Sequence, residues 1–376
     1  HFGLIGNSLY SGASGIALLF ARLALLCTDP AEAARWRDRA WSCFAGLAEL
    51  AERTSNDQLF RLVRDLPYGI SGTGGILLAL ALLEQAGLEQ AQPLADLLQK
   101  QLQPERLLAD QAIDLIGGVS GLMGSLLLQS SVQSHDLAVA CGERLLEIQL
   151  DSGGWPSRSA AVSQRNPALT GFSHGAAGMA AALARLAQAT GDRRFADSAQ
   201  RAIAYERSVF INTRGNWPDF RSTAEPTEFM LSWCHGAPGI LLSRLVLQAA
   251  GLDDAEIAAE QHISRASTVA ALPGLNGSQA DHPAHLCCGV LGLTSLLRID
   301  AAISGIDLAP QVPAVEARLI RQGNSNGYTF FSVDAGTLNL PGLLTGQAGA
   351  ALALLEAADG LRWLPSVLSA GLLPAP

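Results

Sequence analysis

Aromatic residues make up 6% of this 376-residue chain and charged residues only 16%. A sheet-rich fold would draw on Val, Ile and Tyr; here Ala and Leu dominate, in apolar runs of helical length, so the expected fold is all-α. Clusters of Lys and Arg are missing and the formal net charge is −9. That balance argues against nucleic acid or an acidic membrane as partner, because phosphates are bound by grouped cations. Two charge-free stretches, 115–134 and 335–355, are long enough to cross a bilayer, yet the first carries Ser120, Ser125 and Gln129 and the second Asn339, Pro341 and Gln347, unlike lipid-facing helices. No secretory signal is present, so a cytoplasmic protein is expected.

The six cysteines, in a chain this large and without such a signal, read as thiols or metal ligands and not as a disulfide framework. Cys27, Cys43 and Cys141 lie in apolar helical patterns and read as buried structural residues. No low-complexity segment or linker divides the chain, so residues 1–376 are expected to form a single domain. The first residue is His1, not Met, and the domain is expected to be cut from something longer.

What is present in excess is a spaced glycine pair. G-x-x-G recurs at Gly12/Gly15, Gly72/Gly75, Gly118/Gly121, Gly175/Gly178, Gly236/Gly239, Gly289/Gly292 and Gly346/Gly349, with steps of 60, 46, 57, 61, 53 and 57 residues. Steps of that size fit one pair of helices with loops, so the chain reads as a seven-fold repeat. After the pairs come segments apolar almost all round, such as 15–26, 75–83, 178–186 and 239–247, which must be buried. Amphipathic segments such as 31–53, 192–207 and 253–268 follow and would form an outer layer. The alternation predicts an α/α toroid, a double-layered barrel of seven inner and about seven outer helices. The glycines would let the chain turn sharply and neighbouring helix starts crowd a narrow mouth, and free amides at those starts would make the mouth partly positive. Stretches 151–156, 215–221 and 273–286 read as ordered loops, two of them with a Trp.

The residue before each first glycine is Ser11, Ser71, Gly117, His174, His235, Cys288 and Thr345, and the one before that Tyr10, Ile70, Ile116, Ser173, Cys234, Cys287 and Leu344. Ligand-type side chains fall only in the fourth, fifth and sixth copies, and equivalent positions in a closed ring face the same end. Cys234, Cys287 and Cys288 therefore make three soft ligands for Zn²⁺, leaving a fourth position open to substrate or water. Taken singly, two buried cysteines and a few hydrogen-bonded histidines would be the simpler reading; matching positions in consecutive repeats favour the metal. His235 and His285 stay open between ligand, supporting group and structural residue, with a structural role favoured for His285.

DLIGGVSG (114–121), LTGFSHGAAG (169–178), WCHGAPG (233–239), CCG (287–289) and PGLLTGQAG (341–349) resemble the lanthionine synthetase C-like cyclases, most closely the cyclase half of the bifunctional class II lanthipeptide synthetases. The resemblance runs in order over essentially the whole chain. It implies a zinc-dependent cyclase that adds cysteine thiols to dehydroalanine or dehydrobutyrine in a dehydrated precursor peptide, forming lanthionine and methyllanthionine rings. It also implies an N-terminal dehydratase region in the parent protein. Carried over, the zinc ligands are Cys234, Cys287 and Cys288, the last standing where a histidine is usual, as in a three-cysteine subgroup associated with promiscuous synthetases. The family's active-site histidine falls on His174 and its aspartate on Asp114. His235 falls where some members have tyrosine and is kept as a catalytic candidate. An arginine that some relatives carry upstream of the first zinc cysteine has no match, since Met230 occupies that position.

Three thiolates on Zn²⁺ carry a net charge of −1, which would favour a reactive and less stringent nucleophile. His174 is the expected acid for the α-carbon, with Asp114 orienting it. A zinc prenyltransferase-like barrel is the rival enzyme, but it would want an aromatic lipid-sized pocket. A non-catalytic zinc-containing thiol- or peptide-binding protein of the same fold is the rival from another class. No need for an oligomer is evident, so a monomer is expected.

Overall fold

The computed structural model describes residues 6–129, 131–157, 168–221, 229–272, 283–326, 332–333, 336–337 and 340–374. Seven helices start at the seven glycine pairs: α1 (Ala13–Leu26), α5 (Thr73–Gln85), α8 (Val119–Leu127), α10 (Ala176–Thr190), α12 (Ala237–Ala249), α14 (Val290–Ser304) and α16 (Gln347–Asp359). Each packs on the next, and α16 packs back on α1, closing a ring. Outside them lie α2 (Pro30–Ser42), α6 (Ala91–Gln99), α9 (Val132–Ile148), α11 (Arg193–Ser208), α13 (Ala255–Ala270) and α15 (Gln311–Asn326), each against its own inner helix. The shorter α3 (Ala45–Arg53), α4 (Asn56–Arg64) and α7 (Pro104–Leu108) fill in between the outer helices, whereas α17 (Leu364–Leu368) is buried throughout, against the inner helices α14 and α16. A two-residue strand pair, β1 (Ser332–Val333) with β2 (Gly336–Thr337), is the only sheet among the described residues. The fold is the all-α toroid that the glycine repeat predicts.

Composition decides the layers. In α5 every residue from Thr73 to Leu83 is buried, as a helix apolar all round must be. Outer helices keep a wet face, and four of them start at a side-chain cap: Asp29, Ser131, Asp192 and Asp254 accept from amides of their first turns. The outer segment predicted over 31–53 is broken into α2 and α3 at Cys43 and Phe44, where Phe44 turns fully into the core. The shortest repeat has a nine-residue outer helix, α6, followed by the one-turn α7.

Inner helices start differently, and here two expectations change. None is capped by the side chain of its own N-cap residue, which is a glycine in all seven, but their first amides are not free. The incoming loop folds back to serve them: Val119 N–H bonds the Ala112 carbonyl at 3.1 Å, Ala176 that of Leu169 at 2.9 Å and Val290 that of Pro283 at 2.9 Å. Those amides are therefore engaged by the chain and not open to a ligand at the mouth. The glycines make room mainly for this incoming backbone and less for neighbouring helices. A β-carbon at Gly178 would lie 2.0 Å from the Phe172 carbonyl oxygen, and one at Gly292 1.9 Å from that of Leu286.

The loops before the inner helices also bond to one another. Ile70 N–H bonds Leu115 O at 3.0 Å, Leu115 N–H bonds Ser173 O at 3.1 Å, and Phe172 N–H bonds Cys234 O at 3.1 Å. A second arc runs from Cys287 N–H to Leu344 O at 2.8 Å and from Leu344 N–H to Tyr10 O at 2.9 Å. One arc ends at Cys234 and the other begins at Cys287. Among the loops predicted to be ordered, Trp155 and Trp217 are buried and donate their indole N–H to Leu145 O at 2.8 Å and Glu206 O at 3.1 Å. Most of the third loop, 273–282, lies outside the described residues. Of the cysteines read as structural, Cys141 is buried while Cys27 and Cys43 are part-exposed. No helix among the described residues is long and apolar enough to cross a membrane.

Candidate metal centre and acid–base pair

The junction of the two arcs brings together the cysteines of copies five and six. Cys288 Sγ lies 3.5 Å from Cys234 Sγ and 3.4 Å from Cys287 Sγ, and the three sulfurs all fall within 4.8 Å of one another. Cys234 and Cys287 are buried and Cys288 is exposed. A tetrahedral ion with Zn–S near 2.3 Å separates its sulfurs by about 3.8 Å, so this trio needs only a small expansion to hold one. The donor set suits the same ion, since soft thiolates select Zn²⁺ over hard-ligand metals. The sulfurs' acidities are already split: S–H donation from Cys287, then Cys288, holds the Cys234 thiol far below the usual thiol range. The two donors are pushed up in turn. A cation would replace those shared protons.

Each sulfur is held by its surroundings. Asn216, from the loop 215–221, accepts from Ala237 N–H at 2.7 Å and donates to Met230 O at 2.9 Å, which fixes the turn that carries Cys234 at the start of α12. Ser232 Oγ lies 3.2 Å from Cys234 Sγ. Tyr10, from the first repeat, donates its hydroxyl to Cys287 Sγ at 2.9 Å. His285 is buried and its Nδ1 accepts from Cys288 N–H at 3.2 Å, bracing the Cys287–Cys288 turn.

Beside the thiols, His174 Nδ1 and Asp114 Oδ2 are 2.7 Å apart. Asp114 Oδ1 accepts from Gly117 N–H at 2.7 Å, so the carboxylate is fixed before it orients the ring. Both side chains are about one-third exposed, 34% and 27%, and line a cavity of about 210 Å³ with Ile113, Leu169, Met179 and Arg221. His235 stacks on His174, ring centroids 5.9 Å apart. It is buried, its Nε2 has no hydrogen-bond partner among the described residues, and burial pushes its pKa down to about 4. The ring is therefore neutral near pH 7.

All six residues named from the sequence meet at one end of the ring. Sequence reasoning missed Arg221 as well as Tyr10 and Ser232. Arg221 grips Asp219 with two nitrogens, 2.6 and 3.0 Å, and reaches Met230 Sδ at 2.8 Å. Its pKa is raised by the Asp219 hydrogen bonds, with the charges of Cys234 and Cys288 adding to the effect. A guanidinium is thus within electrostatic reach of Cys234 and Cys288, held by Asp219 and Met230. Tyr10 occupies the repeat position of Cys234 and Cys287, a signal present in the sequence.

The sequence model of the lanthionine synthetase C-like protein family matches residues 4–368. The chain belongs to the lanthionine synthetase C-like family. Among solved structures, nisin cyclase superposes with a TM-score of 0.74 at 19% identity, over 100% of this chain and 95% of that one. UGL bound to dGlcA-Glc-Rha-Glc follows at 0.50 and 13% identity, covering 77% and 85%. At such identities these likenesses speak for the shared helical ring alone. No curated protein sequence matches.

Proposed function

We propose that the protein is a zinc-dependent lanthionine cyclase that adds cysteine thiols of a dehydrated precursor peptide to its own dehydroalanine or dehydrobutyrine residues. The observation that carries this reading is the convergence of three sulfurs with an oriented His–Asp pair at one mouth. Cys234, Cys287 and Cys288 would hold the ion; when bound, it supplies the acidity that makes a peptide thiol a thiolate near pH 7. The pocket beside them, walled by Ile113, Leu169 and Met179, suits a small apolar dehydro side chain.

The remaining chemistry falls to the chain's own groups. As the new S–Cβ bond forms, the Cα=Cβ electron pair moves into an enolate, and a proton must reach Cα. With Nδ1 engaged by Asp114, His174 presents Nε2, which has no partner among the described residues, to deliver that proton, and the carboxylate holds the ring in orientation. The thiol loses one proton and Cα gains one, so the reaction is proton-neutral overall. Arg221 adds positive charge where the enolate oxygen develops. His235, neutral and packed on His174, keeps that ring in place. The binding-only alternative leaves the His174–Asp114 pair without a task. In the same reading the protein works as a monomer in the cytoplasm, and its parent protein carries an N-terminal dehydratase region.

The test is ring formation on a synthetic dehydrated peptide, read as loss of N-ethylmaleimide-reactive thiol at constant peptide mass. His174→Ala should lower the rate by roughly 10²–10⁴ while zinc content holds. Zinc-loaded wild-type protein that forms no thioether would refute the reading, and full activity in His174→Ala would remove the acid from it.

A further inference from the structure

We propose that Tyr10, with Ser232 as its counterpart, is a positioning residue that damps the nucleophilicity of the buried ligand sulfurs Cys287 and Cys234, so that neither competes with the peptide's thiolate for the dehydro residue. The inference rests on the reading of Cys234, Cys287 and Cys288 as the metal centre. A three-thiolate site has a built-in hazard: each ligand is itself a nucleophile beside a Michael acceptor. If a ligand sulfur formed the S–Cβ bond and the enolate took up a proton, the peptide would be covalently attached to the protein. Hydrogen bonds from O–H groups draw electron density from a thiolate and lower its reactivity, and bonds to charged acceptors are the stronger kind.

The donors are distributed unevenly. Tyr10 O–H reaches Cys287 Sγ at 2.9 Å across 277 residues of chain, and Ser232 Oγ stands 3.2 Å from Cys234 Sγ. The other sulfurs are the only side-chain groups among the described residues within hydrogen-bond range of Cys288 Sγ. Tyr10 is built for its reach. Its carbonyl accepts from Leu344 N–H, and Leu344 O accepts from Cys287 N–H, so the backbone of the seventh repeat spaces the first from the sixth while the phenol bridges the two. The repeat position that supplies a ligand in copies five and six supplies a hydrogen-bond donor in copy one.

The test compares zinc-loaded wild type, Tyr10→Phe and Ser232→Ala, each treated with N-ethylmaleimide, itself a Michael acceptor, with labelling of each cysteine followed by peptide mapping. In Tyr10→Phe the labelling rate of Cys287 should rise about tenfold, as expected for losing one hydrogen bond to a charged acceptor, while Cys288 stays unchanged. In Ser232→Ala the rise should move to Cys234. With Co²⁺ in place of zinc, the sulfur-to-metal charge-transfer band should shift to lower energy in both variants. Unchanged labelling and bands with metal retained, or equal acceleration at all three cysteines, would overturn the inference and leave the metal centre standing. Wild-type protein that binds no zinc would overturn both. If Tyr10→Phe fails to fold by circular dichroism, Ser232→Ala decides the question.

Discussion

At the scale of single residues the site is a contrast between charged and neutral groups at close range. His235 and His285 are both pushed down to about 4, chiefly by burial, against an ordinary value of 6.5. Between those values the unfolded chain binds protons that the folded chain refuses, so stability falls as pH drops from about 6.5 towards 4. The loss is at most roughly 3 kcal/mol per histidine. Chelator-treated protein, melted by urea across that window, should show the decline, and a His235→Gln/His285→Gln double variant should flatten it. Legibility at this scale followed spacing. Cys234, Cys287 and His174 stood out because repeats align them. Arg221 did not, because its reach to Met230 depends on the path of an irregular loop, which no periodicity encodes.

Among the elements, a buried ion-pair network ties the outer layer to the inner. Arg244, on the face of α12 that meets the outer helices, is fully buried and pairs with Glu206 of α11 at 2.9 Å and Glu260 of α13 at 2.7 Å. Arg207 extends the network to the same Glu260 at 2.7 Å. These three helices also carry the chain that frames Cys234, through the Trp217 bond to Glu206 O. Arg244→Met would leave Glu206 charged and unpaired in the core, with an expected loss of about 3–5 kcal/mol in urea unfolding. A joint change of Arg244, Glu206 and Glu260 to apolar residues should restore most of it, because buried ion pairs contribute little beyond well-packed hydrophobes. The helices themselves were readable from apolar runs and amphipathic spacing. Their starts were misread as open, since an incoming loop that folds back onto its own helix leaves no mark beyond the glycines it requires.

For the whole molecule, seven similar helix pairs close into a ring whose loops form two hydrogen-bonded arcs. The fold was legible because the same glycine requirement recurs seven times. That Cys234, Cys287 and Cys288 would come together was legible because ligand-type residues depart from that pattern in only three of the repeats. The ring's closure was expected with the fold, but the particular contacts that make it, α16 on α1 and Tyr10 on Cys287, join residues far apart in the sequence and were not. Closure also gives the site its logic: the arcs meet where Cys234 faces Cys287 and Cys288, so a bound ion would staple the two arcs together. The central claim is that this junction accepts the peptide's own thiol. Zinc K-edge absorption on the loaded protein, before and after adding an undehydrated cysteine-containing precursor peptide, tests it most directly. About three sulfur neighbours should become about four. A sulfur count that stays at three while the peptide is bound, or a zinc environment without sulfur, would contradict the account.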